Sequence, residues 1–575
     1  METTDTDILI LGSGGAGLFA ALHAHQADPT LSITVAVKGL LGKCGCTRMV
    51  QGGYNVAIAA GDSVERHFMD TIEGGKWLPN QELAWKLVTL AVERIRELEN
   101  ELGCFFDRNP DGSIHQKAFA GQTFDRTVHK GDLTGIEIIN RLAEQVWARK
   151  IGRLEEHRAV ELVKTKAGDA IAGVLMIDMR TGEYRFVRAK AVLLATGGGP
   201  TMYKYHTPSG DKTSDGLAMA LRAGLPLRDM EMVQFHPTGL LAGTHTRMTG
   251  TVLEEGLRGA GGFLLNGASE RFMPNYDPKA ERATRDVVSR SMYSEIRAGR
   301  VTPNGGLYIS MAHLGPDRVA RDFKGMVERC ADCGFDLAGG LVEVVPTAHY
   351  MMGGVEFGAD CRTQLPGLYT AGEDSGGVHG ANRLGGNGVA NSTVYGGVAG
   401  ESMASWVRAE GAYREPDRGG IDAAMARCER AFARKAGAHG TLESVRERLY
   451  ELMWDSVGII RERAGLESAV SGLHELRSAL HAVGVADGNR AFNLTWHDWM
   501  NLDSLIDVSE VITRAALARE DSRGAHFRSD FPEAGPLERS AYTSASLRGD
   551  ALDIAMKPVA FTHVRPGETL LKDAA

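Results

Sequence analysis

Residues 7–17, DILILGSGGAG, decide the fold, because an apolar run of β-forming residues leads directly into a glycine turn. The apolar residues of 18–24 follow at helical spacing, so the stretch predicts a strand, a turn and a helix. In this pattern Gly12 makes the bend, Gly14 lets the backbone approach a pyrophosphate, and Gly17 lets helix and strand pack closely. The helix N-terminus faces the anion. The stretch therefore predicts a dinucleotide-binding α/β unit.

The next strand argues against NAD as the dinucleotide. It is expected at 33–37, ITVAV, and an acidic residue that holds a ribose usually follows such a strand. Lys38 and Gly39 stand there instead.

Two distant segments shift the prediction towards FAD. A buried strand predicted at 189–195 runs into Thr196-Gly197, and another at 367–371 runs into Gly372-Glu373. Three glycine-flanked strand ends and one acid can converge on one extended dinucleotide. The alternative is that these are three ordinary strand-to-loop turns.

The rest of the chain alternates between helical and mixed patterns. Residues 80–146 and 421–483 have helical periodicity, and 170–187 alternate as two antiparallel strands around a turn. Residues 232–345 are mixed, and the last 75 residues lose the helical periodicity.

Composition bounds the class of protein. A chain of 575 residues predicts about three or four folding units. Its 71 glycines are about 12% of the chain against a usual share of about 7%. With only 18 prolines, the glycines indicate tight turns and close backbone approach rather than a disordered chain. The net charge of −9 argues against a nucleic-acid surface.

Cysteine usage and hydropathy predict a cytoplasmic location. Seven cysteines, an odd number, make a disulfide framework unexpected and indicate a reducing compartment. The acidic N-terminus is not that of a secretory signal, and no apolar window is long enough for a membrane span. Attachment to the cytoplasmic face of a membrane would therefore require partner subunits.

Longer motifs make the interpretation specific. They are QGG (51–53), FHPTG (235–239), HYMMGG (349–354), HGANRLGGN (379–387) and, near the end, SRGAH (522–526). With these motifs in order along nearly the whole chain, the sequence resembles the flavoprotein subunits of succinate dehydrogenases and fumarate reductases, a family that also includes L-aspartate oxidase. Lys38 after the second strand is usual in that family.

The resemblance implies an α/β fold class. A Rossmann-like FAD-binding domain would be split in sequence by an inserted α+β capping domain, and a helical domain and a C-terminal domain would follow. The expected boundaries are 1–231 and 346–405 for the FAD-binding domain, 232–345 for the capping domain, 406–500 for the helical domain and 501–575 for the C-terminal domain.

The resemblance also implies which residues hold FAD. By motif they are Gly12, Gly14, Gly15, Ala16, Gly17, Lys38, Gly39, Cys46, Thr47, Gln51, Gly52, Gly53, Ala195, Thr196, Gly197, Asp215, Glu373, Arg383, Gly386 and Asn387.

The implied reaction oxidises or reduces a CH–CH bond beside a carboxylate. The flavin handles the hydride. The resemblance assigns the substrate carboxylates to two histidines and two arginines, with Phe119 packing against the substrate. The four residues are His236, His349, Arg383 and Arg285. Arginine suits this task because it binds a carboxylate bidentately.

Proton transfer is implied for Arg285, relayed by Glu255 and Arg258. An arginine whose pKa lies above ~12 is a poor base by default, so the role needs a buried cationic cluster and a carboxylate relay. Simpler roles stay open: an ion pair of Arg285 with Asp286, an i, i+3 helix pair of Glu255 with Arg258, and ordinary core histidines.

Two residues depart from the family pattern. Succinate dehydrogenases carry a histidine, bonded covalently to the flavin, where this chain has Cys46. Non-covalent FAD is therefore expected, with a cysteinyl linkage at Cys46 as the alternative. The family's Thr-Glu-Gly-x-Arg-Gly has Glu254 in place of the threonine, whose hydroxyl donates to a substrate carboxylate.

An ionised Glu254 would repel that carboxylate, because it accepts hydrogen bonds but does not donate them. Glu254 is either protonated, turned onto a neighbouring cation, or facing a cationic or donor group of the substrate. The last case would favour an amino or hydroxy acid over succinate.

Three functional hypotheses follow. The first is a catalytic subunit of the succinate/fumarate class that works with an iron–sulfur subunit or another electron carrier, since the chain has no cysteine cluster for such centres. The second is a self-sufficient flavin oxidase or dehydrogenase on a related amino- or hydroxy-carboxylate, similar to L-aspartate oxidase. The third is a catalytically silent FAD-binding module. Cys330 and Cys333 are expected to be a chance pair, and no metal site is predicted.

Overall fold

The structure is a computed structural model that describes residues 1–243, 246, 248–433, 440–549 and 551–571. Within these ranges eighteen strands form four sheets. The strands are β1 (Glu2–Leu11), β2 (Ile33–Val37), β3 (Tyr54–Asn55), β4 (Gln116–Lys117), β5 (Thr127–Val128), β6 (Gly152–Glu155), β7 (His157–Lys164), β8 (Ile171–Asp178), β9 (Tyr184–Leu194), β10 (Leu227–Arg228), β11 (Val233–Leu240), β12 (Phe263–Leu265), β13 (Leu307–Ser310), β14 (Leu341–Met351), β15 (Gly354–Val355), β16 (Leu368–Thr370), β17 (Ala541–Arg548) and β18 (Ala551–Pro558).

Fourteen α-helices are described in the same ranges. They are α1 (Gly15–Ala27), α2 (Val64–Gly74), α3 (Gln81–Asn100), α4 (Thr134–Trp147), α5 (Asp215–Arg222), α6 (Gly256–Gly259), α7 (Arg285–Arg297), α8 (Pro316–Asp322), α9 (Lys324–Ala331), α10 (Asn387–Ala409), α11 (Arg418–Glu429), α12 (Leu442–Ser456), α13 (Arg463–Val483) and α14 (Leu494–Ala518). In the described part of the chain, no helix combines the length and the apolar character that crossing a membrane requires.

The central sheet confirms the predicted α/β class. Its strand order is β6-β2-β1-β9-β8-β7, and β16 pairs with β9. The pairs β1–β2, β1–β9, β2–β6 and β9–β16 are parallel. The ends of β1, β9 and β16 therefore lie at one edge of the sheet, where Leu11 is in register with Leu194, and Leu194 with Thr370.

Gly12 shows why this edge requires glycine. Its φ is +112°, and a Cβ there would lie 2.1 Å from the carbonyl oxygen of Ala195. The backbones of β1 and β9 approach too closely at this point for any side chain.

Helices α1 and α10 pack against each other along one face of the central sheet. Cβ atoms on Gly396 and Gly400 would lie 2.6 Å from the carbonyl oxygen of Ala16 and 2.3 Å from that of Ala20. These two glycines allow the close helix contact that holds the N-terminus of α1 towards the strand ends.

The described residues between 233 and 351 form a second, antiparallel sheet in the order β11-β14-β13-β12, together with α6 to α9. This part has its own apolar core, which includes Leu240, Leu264, Met292 and Val344. The chain enters this sheet through β11 and leaves it through β14, which are paired neighbours.

Three local predictions were wrong or incomplete. The hairpin predicted at 170–187 is present as β8 and β9, but 189–195 is the end of β9 rather than a separate strand. Arg188 and Lys190 lie within the continuous strand because they pair with Asp5 and Asp7 of neighbouring β1, at 2.7 Å each.

The helical stretch predicted at 80–146 is two helices, α3 and α4, separated by β4 and β5. These strands have two residues each, too few to give a period-2 pattern.

Helical structure also continues beyond residue 500. The last 75 residues lose the helical periodicity in the sequence, but α14 extends to Ala518 and passes through the predicted boundary at 500/501. Its apolar residues are buried on nearly all sides, so the helix shows no amphipathic stripe. It shares one core with β7 to β9, in which Leu175 and Val187 join Leu505 and Val508.

Candidate active site

A cavity opens at the ends of β1, β9 and β16. It extends from the N-terminus of α1 to the second sheet. Most of the residues predicted for the cofactor and the substrate line it: Gly14, Gly15, Ala16, Cys46, Thr47, Gln51, Gly52, Gly53, Phe119, Ala195, Gly197, His236, Glu254, Glu255, Arg285, His349, Glu373, Arg383 and Gly386.

A second cavity adjoins the first at Gly14 and Gly197, and it is lined by Gly12, Thr196, Lys38 and Asp215. Lys38 Nζ lies 2.9 Å from Asp215 Oδ2. Together the two cavities give the elongated space that an extended dinucleotide needs.

The carboxylate of Asp215 is held ionised in the second cavity. Arg158 Nη2 lies 2.7 Å from Asp215 Oδ1, on the other side from Lys38. Burial favours the neutral acid, but Arg158 and Lys38 outweigh it and lower the pKa of Asp215 to about 2.

Four predicted residues lie outside both cavities. Gly17 serves helix packing, because a Cβ there would lie 2.0 Å from the carbonyl oxygen of Gly12. The carbonyl of Gly39 accepts from the backbone N–H of Glu156. Asn387 bonds to Asn55, His67 and Thr71 behind the wall of the cavity. Arg258 is reached only through Glu255.

Cys46 begins a short 3₁₀-helix, Cys46–Met49, on the wall of the main cavity. Burial, with the nearby carboxylate of Glu373, raises the pKa of its thiol to about 12. The thiol therefore stays protonated at neutral pH and is a poor nucleophile.

A buried polar atom in the cavity fits the expected cofactor. Gln51 lines the main cavity, and its buried Oε1 has no hydrogen-bond partner among the described residues. A buried amide oxygen normally has a partner, so this one suits a donor on a bound ligand. The glycine-lined wall and this acceptor together fit a flavin dinucleotide.

The two predicted substrate histidines lie close together on neighbouring strands of the second sheet. His236 on β11 and His349 on β14 have ring centroids 5.3 Å apart. His236 Nδ1 accepts from the backbone N–H of Thr238 at 3.3 Å, and His349 Nδ1 lies 2.8 Å from Thr207 Oγ1. Burial and neighbouring arginines hold the pKa of both imidazoles well below its usual value, so both rings are neutral.

Arg285, at the start of α7, binds Glu255 rather than its neighbour in sequence. Its Nη2 and Nε lie 2.6 and 3.1 Å from Glu255 Oε2, and its Nη1 donates to Gln234 Oε1 at 3.0 Å. Arg258 Nη2 donates to Glu255 Oε1 at 3.0 Å. Among the described residues, the alternative pair of Arg285 with Asp286 is not formed.

The chain Arg285–Glu255–Arg258 is buried from end to end. Burial favours the neutral acid of Glu255, but Arg285 and Arg258 outweigh it and lower the pKa of the carboxyl. Burial, together with Arg285, lowers the pKa of Arg383 to about 10. Burial also lowers the pKa of Arg258, so the basic groups hold their protons less tightly than free arginine does.

Glu254 is paired with Lys117 of β4. The carboxylate lines the main cavity and is 7% exposed, and the ammonium group of Lys117 is its ion-pair partner. Burial raises the pKa of the Glu254 carboxyl although Lys117 opposes that effect. Of the three possibilities for Glu254, the structure favours the one in which it turns onto a neighbouring cation.

Several residues of the site were not predicted. Lys212, Thr207 and Tyr350 line the main cavity, and Lys117 pairs with a lining side chain. Tyr350 lies within the quoted HYMMGG motif and could have been included on that basis. Lys117 has no local signal, because its partner is 137 residues away in the sequence.

Family models match two parts of the chain. The model described as the FAD binding domain matches residues 7–389, and the model described as the fumarate reductase flavoprotein C-terminus matches residues 446–570.

Known proteins are similar over nearly the whole chain. One subunit of the fumarate reductase (CoM/CoB) of Methanothermobacter marburgensis is 40% identical over 538 residues, which are 93% of this chain and 96% of that protein. The fumarate reductase flavoprotein subunit of Escherichia coli is 34% identical over 92% of this chain and 89% of its own. A solved structure of a variant of the E. coli quinol fumarate reductase flavoprotein superposes with a TM-score of 0.92 at 32% identity, covering 99% of both chains.

Proposed function

Because this chain belongs to the family of succinate dehydrogenase and fumarate reductase flavoprotein subunits, we propose that it interconverts a saturated dicarboxylate and its enoate, as with succinate and fumarate. FAD is its cofactor, and the chain is an FAD-dependent oxidoreductase of this type. The observation that carries the proposal is the buried chain Arg285–Glu255–Arg258, which meets the cavity beside two neutral histidines.

The substrate carboxylates are held by His236, His349 and Arg383. Since the Nδ1 of His236 accepts a backbone N–H, its Nε2 carries the proton and donates into the cavity. His349 does the same when the Thr207 hydroxyl donates to its Nδ1. Arg383 adds a charged donor, and Phe119 covers the apolar carbons of the substrate.

Arg285 moves the proton. When bound, the flavin supplies the hydride acceptor for oxidation or the hydride donor for reduction. In reduction, Arg285 Nη2 gives a proton to the substrate carbon, and Arg285 is then reprotonated by a proton that moves from Arg258 through the Glu255 carboxylate. The buried cationic cluster makes this feasible because it lowers the pKa of the guanidinium groups of Arg258 and Arg383.

We propose that FAD is bound without a covalent link. The site that holds the flavin-linked histidine in succinate dehydrogenases is Cys46, whose thiol stays protonated. The free state of all seven cysteines suits a reducing, cytoplasmic compartment.

An electron-transfer partner, such as an iron–sulfur subunit, would dock around α4. Five large apolar side chains, 45–65% exposed, surround this helix, and we call them the α4 face: Leu40, Met49, Phe105, Leu133 and Trp147. The Cys46–Met49 turn contacts α4 through the bond from Gly135 N to the Val50 carbonyl, and Phe105 N donates to Glu137 Oε1. Met49 also lines the main cavity, so the α4 face borders the cofactor site.

The first experiment is an anaerobic assay of the purified chain. Reduced methyl viologen should be oxidised when fumarate is added, and succinate should bleach the bound flavin in the opposite direction. Aspartate and malate, tested in parallel, should give neither signal, because Lys117 already compensates Glu254. Peroxide formation with aspartate in air, without turnover of fumarate, would replace the proposal with an L-aspartate oxidase-like function.

A second experiment tests the partner. A variant with Leu133→Asp and Phe105→Asp should keep its viologen-linked turnover and lose reduction by its physiological electron carrier. Phe492→Asp, at an equally exposed apolar residue away from α4, is the matched control and should keep both activities. Unchanged carrier-linked turnover in the double variant would remove the α4 face from the proposal.

A further inference from the structure

The ion pair Lys117–Glu254 joins two parts of the molecule at the rim of the cavity. Lys117 lies on β4, in the small sheet β3-β5-β4, where it is in register with Thr127. Glu254 lies just before α6, in the part of the chain that carries the second sheet. The backbone N–H of Glu254 contacts Met326 Sδ at 3.5 Å, which holds the backbone of Glu254 on that side.

Lys117 is held beside the cavity by an aromatic ring. Its Nζ lies 5.7 Å from the ring centroid of Phe119, a cavity-lining residue whose ring abuts Gly52. The side chain is 19% exposed, so its charge is screened less by water than that of a surface lysine. The ammonium group of Lys117 therefore lies between the ring of Phe119, which covers the substrate, and the carboxylate of Glu254, which would repel the substrate.

The net charge around the cavity indicates the role of the Lys117–Glu254 ion pair. At the histidine end of the cavity, the charged side chains that line it or pair with a lining side chain carry four positive charges and two negative ones, among the described residues. They are Lys117, Arg258, Arg285, Arg383, Glu254 and Glu255. Lys212 and Glu373, at the strand ends, offset each other. The histidines are neutral, so the net charge of two positive units matches a doubly ionised dicarboxylate.

We propose that Lys117 is a specificity-determining residue, which by neutralising Glu254 allows this site to accept a dicarboxylate that carries two negative charges. The inference rests on the proposed function and adds a residue to it. Without Lys117 the net charge falls to one positive unit and Glu254 faces the incoming carboxylate with no compensating cation. Such a site favours a monoanion over a dianion.

The test is a double-mutant cycle on Lys117 and Glu254. The variants Lys117→Met, Glu254→Thr and the double variant are assayed anaerobically with reduced viologen against fumarate, a dianion, and monomethyl fumarate, a monoanion. Lys117→Met should raise KM for fumarate by about tenfold and that for the monoester by less, because only the second carboxylate meets the uncompensated charge. The value of kcat should change by less than about threefold, because Arg285 and Glu255 are untouched.

The double variant separates a charge effect from damage to the fold. Because it removes both charges, it should return KM for fumarate to within about threefold of the wild type. Lys117→Arg, which keeps the charge, should behave like the wild type. Lys130→Met removes a partly exposed lysine that pairs with Asp107 outside the cavity, and it should leave both KM values unchanged.

The folding of each variant and the proposed activity on a dicarboxylate are checked on the same samples. The bound flavin per chain and the melting temperature show whether each variant is folded. If the wild type turns over no dicarboxylate, the proposed function fails and this inference fails with it. If the wild type turns over fumarate but Lys117→Met keeps its KM for both substrates, or if the double variant is as impaired as Lys117→Met, Lys117 has no role in specificity and only this inference fails.

Discussion

At the scale of single residues, burial decides what a side chain of the site can do. Arg285 could form an ion pair at the surface, yet here its guanidinium shares a buried carboxylate with a second arginine. Cys46 has a thiol that could become a nucleophile, yet burial keeps it protonated. Each residue type permits several roles, and the surrounding charges select one of them.

The proton relay makes Glu255 the residue most sensitive to substitution. Glu255→Gln keeps the shape of the side chain but removes the carboxylate that exchanges protons with Arg285. We expect kcat for fumarate reduction to fall by about a hundredfold or more, with FAD still bound, as for loss of a general acid–base group. Glu295→Gln is the matched control, since Glu295 is equally buried but binds Arg300 away from the cavity. A similar loss in both variants would contradict the relay.

Cys46 should have no covalent role. Acid precipitation of the wild-type protein should release its FAD into the supernatant, and Cys46→Ala should bind the same amount of FAD per chain. The reason is that a thiol with a pKa of about 12 supplies almost no thiolate at neutral pH. Flavin that stays with the wild-type precipitate, and is released from Cys46→Ala, would establish a cysteinyl link instead.

At the scale of elements, the first βα unit was the most predictable part of the fold. The apolar run 7–11 predicts the strand, and the glycines that follow it are needed because β1, α1 and β9 approach each other closely at this point. In contrast, α14 was missed beyond residue 500 because burial on all sides removes the periodic signal of a helix. Strands β4 and β5 were missed because two residues make no pattern.

Gly12 should be required for the cofactor site. A Cβ at Gly12 would lie 2.1 Å from the Ala195 carbonyl, so Gly12→Ala must push β1 and β9 apart where the dinucleotide binds. We expect purified Gly12→Ala to contain less than about a tenth of the wild-type FAD, measured by flavin absorbance. Gly112→Ala is the control, because its φ is +85° but a Cβ there meets no atom within 4 Å. Equal loss of FAD in both would mean that backbone strain alone, about 1–2 kcal/mol, is responsible.

His23 makes the packing of three helices dependent on pH. On α1, its Nε2 lies 2.8 Å from Glu97 Oε1 of α3, and its Nδ1 lies 2.9 Å from Glu401 Oε1 of α10. Burial lowers the pKa of His23, but Glu401 and Glu97 outweigh it and the pKa is raised above 6.5. The stabilisation is therefore complete below pH 6.5 and is lost as the pH rises through the raised pKa of the folded state.

The measurement is the urea midpoint of unfolding at pH 6 and pH 8.5. The wild type should lose stability between these values, and His23→Gln should lose less. His313→Gln, at an exposed histidine, should keep the wild-type difference. An unchanged difference in His23→Gln would show that other groups cause the pH dependence.

At the scale of the whole molecule, the residues that line the site could be predicted from the sequence, but the contacts that complete the site could not. Most of the residues that the family motifs gave line the two cavities, because each motif keeps its local sequence. Lys117 and Gln234 were missed, since their partners Glu254 and Arg285 lie 137 and 51 residues away in the sequence. Lys212 was missed because it lies outside the motifs, although its ammonium group donates to the carbonyl of Thr196. Contacts between distant segments have no local pattern, so only the folded chain brings them together.

The C-terminal part of the chain anchors the point where the second sheet begins. Arg519, directly after α14, is 2% exposed and its Nε donates to Glu231 Oε1 at 2.6 Å. Thr543 of β17 donates to the other oxygen of Glu231, also at 2.6 Å. Glu231 lies two residues before β11, the strand that carries His236. The C-terminal segments therefore hold the base of the strand on which the substrate site is built.

Arg519→Met should lower both stability and substrate affinity, because it leaves the buried carboxylate of Glu231 without its ion-pair partner. Breaking a buried pair in this way costs about 3–5 kcal/mol in the free energy of unfolding, measured by urea denaturation. KM for fumarate should rise as well, since β11 loses its anchor. Arg514→Met removes an arginine from the same end of α14 whose pair with Glu510 is partly exposed, and it should cost less than about 1 kcal/mol. Equal losses in the two variants, or an unchanged KM in Arg519→Met, would mean that Arg519 stabilises the C-terminal segments alone and not the site.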